Sequence, residues 1–393
     1  MKNTRRYLHR AAGIFFATVL FSPLVFANEP NEPSSLSDYL YIAAMNNSGL
    51  KAAFGQFRAA AAQIDQAKAL DDPQFTYSYM IREEMESRSG PNRQKYGLMQ
   101  MFPWFGKIEA RTDAAAAQAK AARMQYEAAK TKLVYQVSSV FYEYAYLAEA
   151  VRITENNLGL LKHFEQVTRE QYRTAQGKHP DIVRAQIELA IMEDQLVSIR
   201  RLREPIAAQL NALLNRPVDT GLNWPESEQF AAAQIDRQAV ETAIRTANPQ
   251  LKAMAQEIIA SKKMVELAKK RYYPDIGLGI EVEDAANRSG SMKTRDPIMA
   301  MISINLPIWT DSYAAGVRGS QAQAAAARRM KIQTEFDLQA QGREVIYDIE
   351  DHLRKVNLYQ SVLIPKATEM LNVSEQAYRT GTVDFMSLVD AQQ

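Results

Sequence analysis

Cysteine is absent from all 393 residues, so no disulfide can hold the fold and no lipid can be attached through a cysteine after an export signal. Histidine is scarce: His9, His163, His179 and His352 lie too far apart for a His-Glu-x-x-His zinc motif, and no carboxylate cluster has metal-ligand spacing. A Gly-x-x-x-x-Gly-Lys phosphate loop is also missing, so the chain cannot hydrolyse nucleotide by that route. No cofactor, metal centre or catalytic constellation is expected, and the chain does not read as an enzyme. Beyond the N-terminal region no 18 consecutive residues are apolar, which excludes a later transmembrane helix and leaves strands as the only way to cross a bilayer. An excess of one charge is lacking too. The 47 basic and 45 acidic residues leave a net charge of +2 without a long block of one sign, so nucleic acid is not an expected partner.

What is present begins with an export signal. Residues 1–27 carry Lys2, Arg5, Arg6 and Arg10 and no acid, then an apolar stretch from Ala11 to Phe21, then Val25-Phe26-Ala27 with small residues where a signal peptidase reads. Cleavage is expected after Ala27. The apolar stretch is shorter than the ~20 residues of a spanning helix.

The rest of the chain is written twice. Leu50-Lys51-Ala52 recurs as Leu251-Lys252-Ala253, and Asp72-Pro73-Gln74-Phe75 is answered by Tyr273-Pro274-Asp275-Ile276, both at an offset of 201. Arg88-Ser89-Gly90 returns as Arg288-Ser289-Gly290, and Phe102-Pro103-Trp104-Phe105 as Leu306-Pro307-Ile308-Trp309. Tyr172-Arg173-Thr174 returns as Tyr378-Arg379-Thr380 at an offset of 206. This order places a first structural repeat at 28–217, a linker at 218–238 and a second repeat at 239–393. Compared with the first, the second is expected to lack about 25–40 residues at its C-terminal end.

Each copy follows one plan. A helix is interrupted near its start by Asn47-Ser48-Gly49 or Asn248-Pro249 and runs to Pro73 or Pro274. Two alternating stretches follow, at about 74–86 and 93–102 in the first copy and 275–284 and 296–305 in the second, with turn-rich residues between them. Ile276, Leu278, Ile280 and Val282 alternate with Gly277, Gly279, Glu281 and Glu283, as a strand with one apolar face requires. Four strands cannot close a barrel alone, so they form a small soluble sheet or are pooled between subunits.

Beyond the hairpins come the junctions Pro103, Trp104 and Gly106, or Pro307 and Trp309, and then helices at about 106–176 and 311–379. No proline falls between Phe105 and His179, a length of about 105 Å at the helical rise. Leu133, Val137, Val140, Tyr144, Leu147, Val151, Leu158 and Leu161 make one coiled-coil-like seam, and Ile346, Ile349, Leu353, Val356, Gln360 and Leu363 make the second. Alanine runs at 114–117 and 324–327 predict close helix packing beside the strands. Gly159 and Pro365, again 206 apart, predict a bend in each long helix. Gly177 and Gly381 predict left-handed caps, after which the chain turns back.

Over residues 36–393 this arrangement resembles the TolC-like outer-membrane efflux channels. The resemblance rests on the duplicated helix, hairpin, long helix and return helix, with Pro-Trp junctions and Tyr-Arg-Thr tips. It implies a mainly α fold with a small antiparallel β portion, in which a long coiled-coil-like α-helical barrel hangs from a trimeric twelve-stranded transmembrane β-barrel, four strands per protomer. It further implies a homotrimer in the outer membrane of a Gram-negative bacterium, in contact with outer-membrane lipid and extending into the periplasm. The partners implied are a periplasmic adaptor (membrane fusion) protein and an inner-membrane pump such as an RND transporter. The chain would then be a passive conduit for small molecules or metal ions in a tripartite efflux system. Candidate adaptor-docking residues at the tips are Tyr172, Arg173, Thr174, Gly177, Tyr378, Arg379, Thr380 and Gly381. Aperture candidates on the return helices are Asp181, Arg184, Ser387 and Asp390. The Phe-Pro-Trp-Phe-Gly-Lys junction at 102–107 is more similar to the heavy-metal and cation export branch than to the drug-export branch. Sixteen methionines could contact a soft metal, or fill helical cores. The alternative to a channel is a soluble periplasmic coiled-coil scaffold or adaptor with a small sheet.

Overall fold

The computed structural model describes residues 33–79, 92–225, 235–285 and 297–392. The signal at 1–27, the turn-rich residues 87–91 and 286–291, and the expected continuation of the first strand to 86 lie outside the described residues. In the first copy, α1 (Leu36–Asn46) and α2 (Ser48–Lys68) lead to β1 (Gln74–Tyr79) and β2 (Asn92–Phe102), then α3 (Lys107–Arg173), α4 (His179–Arg201) and α5 (Arg203–Leu214). The second copy runs α6 (Arg237–Ala247), α7 (Pro249–Lys270), β3 (Ile276–Ala285), β4 (Ile298–Ile304), α8 (Thr310–Leu358), α9 (Ile364–Arg379) and α10 (Phe385–Gln392). No described helix is long and apolar enough to cross a membrane.

The helix breaks are caps. Asn47 Oδ1 accepts from Leu50 N at 2.9 Å while its amide donates to Leu213 O at 2.9 Å. Asn248 Oδ1 accepts from Gln250 N and Leu251 N at 2.9 and 3.1 Å, with Pro249 at the first helical position, where a missing N–H costs nothing.

With 67 residues, α3 spans about 100 Å and continues through Gly159 without interruption, so the bend expected there is not a break in the helix. The second long helix does change its winding. Pro365 has no N–H to give Ser361 O, and the preceding residues Tyr359–Leu363 form a π-turn in which Ile364 N donates five residues back to Tyr359 O.

The helices α2, α3, α7 and α8 lie side by side in that order, and the strand order in the sheet is β1-β2-β3-β4, every pair antiparallel. The alanines of α3 (Ala110, Ala114, Ala115, Ala117, Ala119 and Ala121) are buried because α3 has α2 on one side and α7 on the other. The equivalent alanines at 324–327 are partly or fully exposed, because α8 packs along α7 on one side only.

One core joins α1, α3 and α5. Tyr39, Val137, Phe141, Tyr144, Leu210 and Leu214 are fully buried in it, so the first seam packs as its spacing requires. In the second seam only Ile346 is buried. The physical difference is a missing cover: α4 and α5 lie over the first seam, whereas α10, described as far as Gln392, packs only near the tip.

Candidate functional site: the open sheet, the junctions and the helical tips

The register sorts the sheet into two faces. Phe75 pairs with Leu98, Leu98 with Ile280 and Ile280 with Ala300, while Tyr77, Tyr96, Val282 and Ile298 form the next row. Side chains alternate across a strand, so all of these stand on one side. Among the described residues nothing covers that side: Phe75, Ile298 and Ile302 are 68%, 73% and 73% exposed. The opposite side carries Thr76, Ser78, Lys95, Glu281 and Glu283, with Lys95 ion-paired to both glutamates. A soluble sheet would bury its apolar face; this one presents it outward and keeps its charges on the other. Among the described residues both edge strands, β1 and β4, are also unpaired on their outer sides.

The first junction is held by the second copy. Gly106 adopts φ 78°, a left-handed turn that a side chain would strain by about 1 kcal/mol, and there the chain turns from β2 into α3. Trp104 stacks on Tyr273 at 5.9 Å with rings 9° apart. Asp275 Oδ1 accepts from Trp104 N at 2.9 Å and from Lys107 Nζ at 2.6 Å. Arg111 adds two bonds to the end of α2, at Ala67 O (2.9 Å) and Ala69 O (2.6 Å). Asp275, which the sequence offered only as part of the repeated motif and not as a site residue, therefore ties the first copy's junction to the second copy. At the second junction Asn305 donates its N–H to Asp275 O at 3.3 Å, but among the described residues no ring stacks on Trp309, and Leu306 and Trp309 are each 73% exposed.

At the tips, α3 and α9 end in the same motif. Gln176 N and Thr382 N donate to Gln171 O and Ala377 O, each at 2.9 Å. Gly381 takes the left-handed position at φ 72°, but its partner in the first copy is Ala175 at φ 61°, not Gly177. Gly177 has a different role: a Cβ there would stand 3.0 Å from Tyr172 N and 3.1 Å from Gln171 Cβ. Tyr172 is 47% exposed and meets His179 edge-on, while Tyr378 is 3% exposed in a core with Phe164, Phe385 and Leu388. Its hydroxyl donates to Thr168 Oγ1 at 3.2 Å, its carbonyl accepts from Gln171 Nε2 at 2.9 Å, and burial raises its pKa. Tyr378 thus clamps the two copies together and offers no docking surface. Arg379 is turned to Glu375 at 2.5 Å, Thr174 and Thr380 bond back to their own helices, and Arg173 reaches only Glu170 at the exposed surface.

Of the four aperture candidates, Asp181 and Arg184 lie on the first turns of α4, and Ser387 and Asp390 on α10. Among the described residues no ion pair joins Asp181 to Arg184. Ser387 gives its N–H (3.0 Å) and hydroxyl (2.8 Å) to Asp384, and these bonds, with Arg184 nearby, hold the Asp384 carboxyl below the usual range. Asp390 is exposed. Among the described residues no group of histidines and carboxylates gathers as for a metal ion.

The family described as "Outer membrane efflux protein" matches residues 39–216 and 240–393, the two copies of the repeat. "Toxin and drug export protein A" of Aggregatibacter actinomycetemcomitans is 23% identical over 192 residues, which is 48% of this chain and 41% of that protein; the chain thus spans under half the length of that relative. The outer-membrane channel OprN superposes with a TM-score of 0.76 at 18% identity, covering 91% of this chain and 83% of that one. CusC, described through its folding and transmembrane channel formation, gives 0.76 at 16% identity, covering 91% and 85%. Channels of this kind are passive and are not enzymes. The duplicated plan, the uncovered apolar face and the match along both copies agree: this chain belongs to the outer membrane efflux protein family.

Proposed function

We propose that three copies close into a ring, as the outer-membrane conduit of a tripartite export system. The observation that carries this reading is a contact already made once inside the chain. The first copy's long helix α3 packs on the second copy's α7, and β2 pairs with β3 beside it. The second copy repeats the elements but has no third copy to meet, leaving α8, β4 and Trp309 open at one end of the layer and α2 and β1 at the other. Head-to-tail joining of α8 to the next α2, and β4 to the next β1, repeats the internal contact and removes every sheet edge. Four strands from each of three copies make a twelve-stranded barrel whose apolar face meets lipid, and the helices continue it as a tube into the periplasm.

An inner-membrane pump supplies the energy, and a periplasmic adaptor meets the tips. The full-length protein should fractionate with the outer membrane as a trimer that heating dissociates; recovery as a soluble monomer would sink the proposal and return the scaffold reading. At the tip, Arg173 is the exposed cation best placed for an adaptor. Its pair with Glu170 is solvated and worth ~0–1 kcal/mol, so Arg173→Glu should leave the trimer intact. Adaptor capture should fall by about tenfold, as expected for reversing a charge at an interface. Undiminished capture would remove Arg173 from the docking surface. Asp181, Arg184, Ser387 and Asp390 stand at the narrow end in this assembly, with Asp390 and Arg184 facing the aperture water.

A further inference from the structure

Thioethers collect on the charged side of the sheet, where methionine has no lipid to face. Met99 lies opposite Gly279, which lies opposite Met301; one row nearer the helices, Met101 lies opposite Gly277, which lies opposite Ser303. Two glycines in the middle of these rows leave a trough of bare backbone, and the flanking side chains lean over it. A Cβ at Gly277 would stand 2.7 Å from Met101 Sδ, 3.4 Å from Met99 Sδ and 2.6 Å from Ser303 Oγ. At Gly279 a Cβ would stand 3.4 Å from Met99 Cβ and 3.5 Å from Met301 Cε. Ser303 Oγ is 4.0 Å from Met101 Sδ. Two sulfurs and a hydroxyl therefore converge on one point, with a third thioether over the adjacent glycine. All four side chains are half-buried.

Neutral thioether sulfur is a soft donor that favours Cu(I) and Ag(I), whereas Mg²⁺ and Ca²⁺ demand oxygen ligands. Further along the same face one lysine, Lys95, is shared between Glu281 and Glu283, so the group keeps one net negative charge near the trough without a direct ligand being needed. We propose that Met99, Met101 and Met301, with Gly277 and Gly279 keeping the backbone clear, form a binding site for a soft monovalent cation on the inner wall of the channel. The site names a substrate class for the conduit described above and rests on that reading for its place in the lumen. Each copy in the ring supplies one site close to the helical end of the barrel. A pathway site must bind well enough to admit the ion and weakly enough to release it, which suits neutral ligands in a half-open trough.

Silver ion alone, titrated into the purified full-length channel in detergent, tests this. One Ag⁺ per chain should bind, with sulfur neighbours visible by X-ray absorption, while Mg²⁺ should not compete. The triple variant M99L/M101L/M301L keeps side-chain size and removes the sulfurs. It should weaken Ag⁺ binding by about tenfold or more and abolish the sulfur signal. Met101→Leu alone, the milder change, should weaken binding in the same direction if the triple variant fails to assemble. Binding equal in wild type and these variants would overturn the site, since the other methionines among the sixteen would then account for it. All the donors come from one chain, so the two readings separate. A trimer that binds no silver sinks the site alone, whereas silver bound by a chain that forms no trimer sinks the conduit alone.

Discussion

Tyr144→Ala should lower the stability of the protein by about 3–5 kcal/mol, the range for removing a large buried aromatic, and Tyr146→Ala two residues away should change it by less than about 0.5 kcal/mol. Tyr144 is fully buried in the core formed by α1, α3 and α5, whereas Tyr146 is 74% exposed. The ring of Tyr144 stacks on Trp224 at 4.9 Å, and the Arg203 guanidinium lies over the Trp224 ring, 4.4 Å from its centre. The hydroxyl donates to Leu222 O at 3.0 Å and accepts from Arg203 Nε at 3.1 Å, while Arg203 Nη2 reaches the same carbonyl at 2.6 Å. One side chain thereby fixes the long helix, the return helix and the segment leaving α5. Asn211 holds that segment from its other end through Val218 O and Thr220 O. Tyr144→Phe keeps the ring and loses two hydrogen bonds, and it should cost about 1 kcal/mol, because Arg203 still satisfies Leu222 O. Thermal unfolding followed by circular dichroism in detergent ranks the three variants. Equal losses for Tyr144→Ala and Tyr146→Ala would refute the assignment of this core.

The repeat made the plan legible because symmetry in sequence survives where each local signal is weak. Alternation at Ile276–Val282 placed a strand and its apolar face, and the Asn47 and Asn248 breaks became helix caps. What could not be read is where the two copies stop being equivalent. Tyr172 and Tyr378 are both followed by Arg-Thr, yet one is exposed and the other buried, because only the second lies against α3 of the other copy. Trp104 and Trp309 diverge because the ring of Tyr273 and the carboxylate of Asp275 are both turned to the first junction. Left-handed geometry at Ala175 was hidden because alanine gives no sign of positive φ, and the neighbouring Gly177 drew the expectation instead. Gly159 lies on open surface with nothing within 4 Å of a Cβ, so it is a cost in helix propensity of about 1 kcal/mol that a 67-residue helix absorbs without breaking. The methionine trough needed strand register, since a one-residue slip would move all its sulfurs to the lipid side.

That register also makes the sharpest test of which side of the sheet meets lipid. Ile298 and Met299 are consecutive residues of β4, and pairing places Ile298 opposite Val282 on the apolar side and Met299 opposite Glu281 on the charged side. Arginine is close in reach at either position but enters different surroundings. Ile298→Arg puts a cation against hydrocarbon at a cost of about 2–4 kcal/mol per strand if it lies at mid-depth, and a ring of three copies incurs it three times. Met299→Arg puts the same cation beside Glu281 in the water of the lumen, where no such penalty arises. Ile298→Arg should therefore abolish the heat-dissociable trimer in outer-membrane fractions, and Met299→Arg should retain it. Retention of both trimers would mean that the face bearing Phe75, Ile298 and Ile302 does not meet lipid. The reverse pattern, with Met299→Arg lost and Ile298→Arg kept, would turn the barrel inside out and place the sulfur-lined trough against the bilayer.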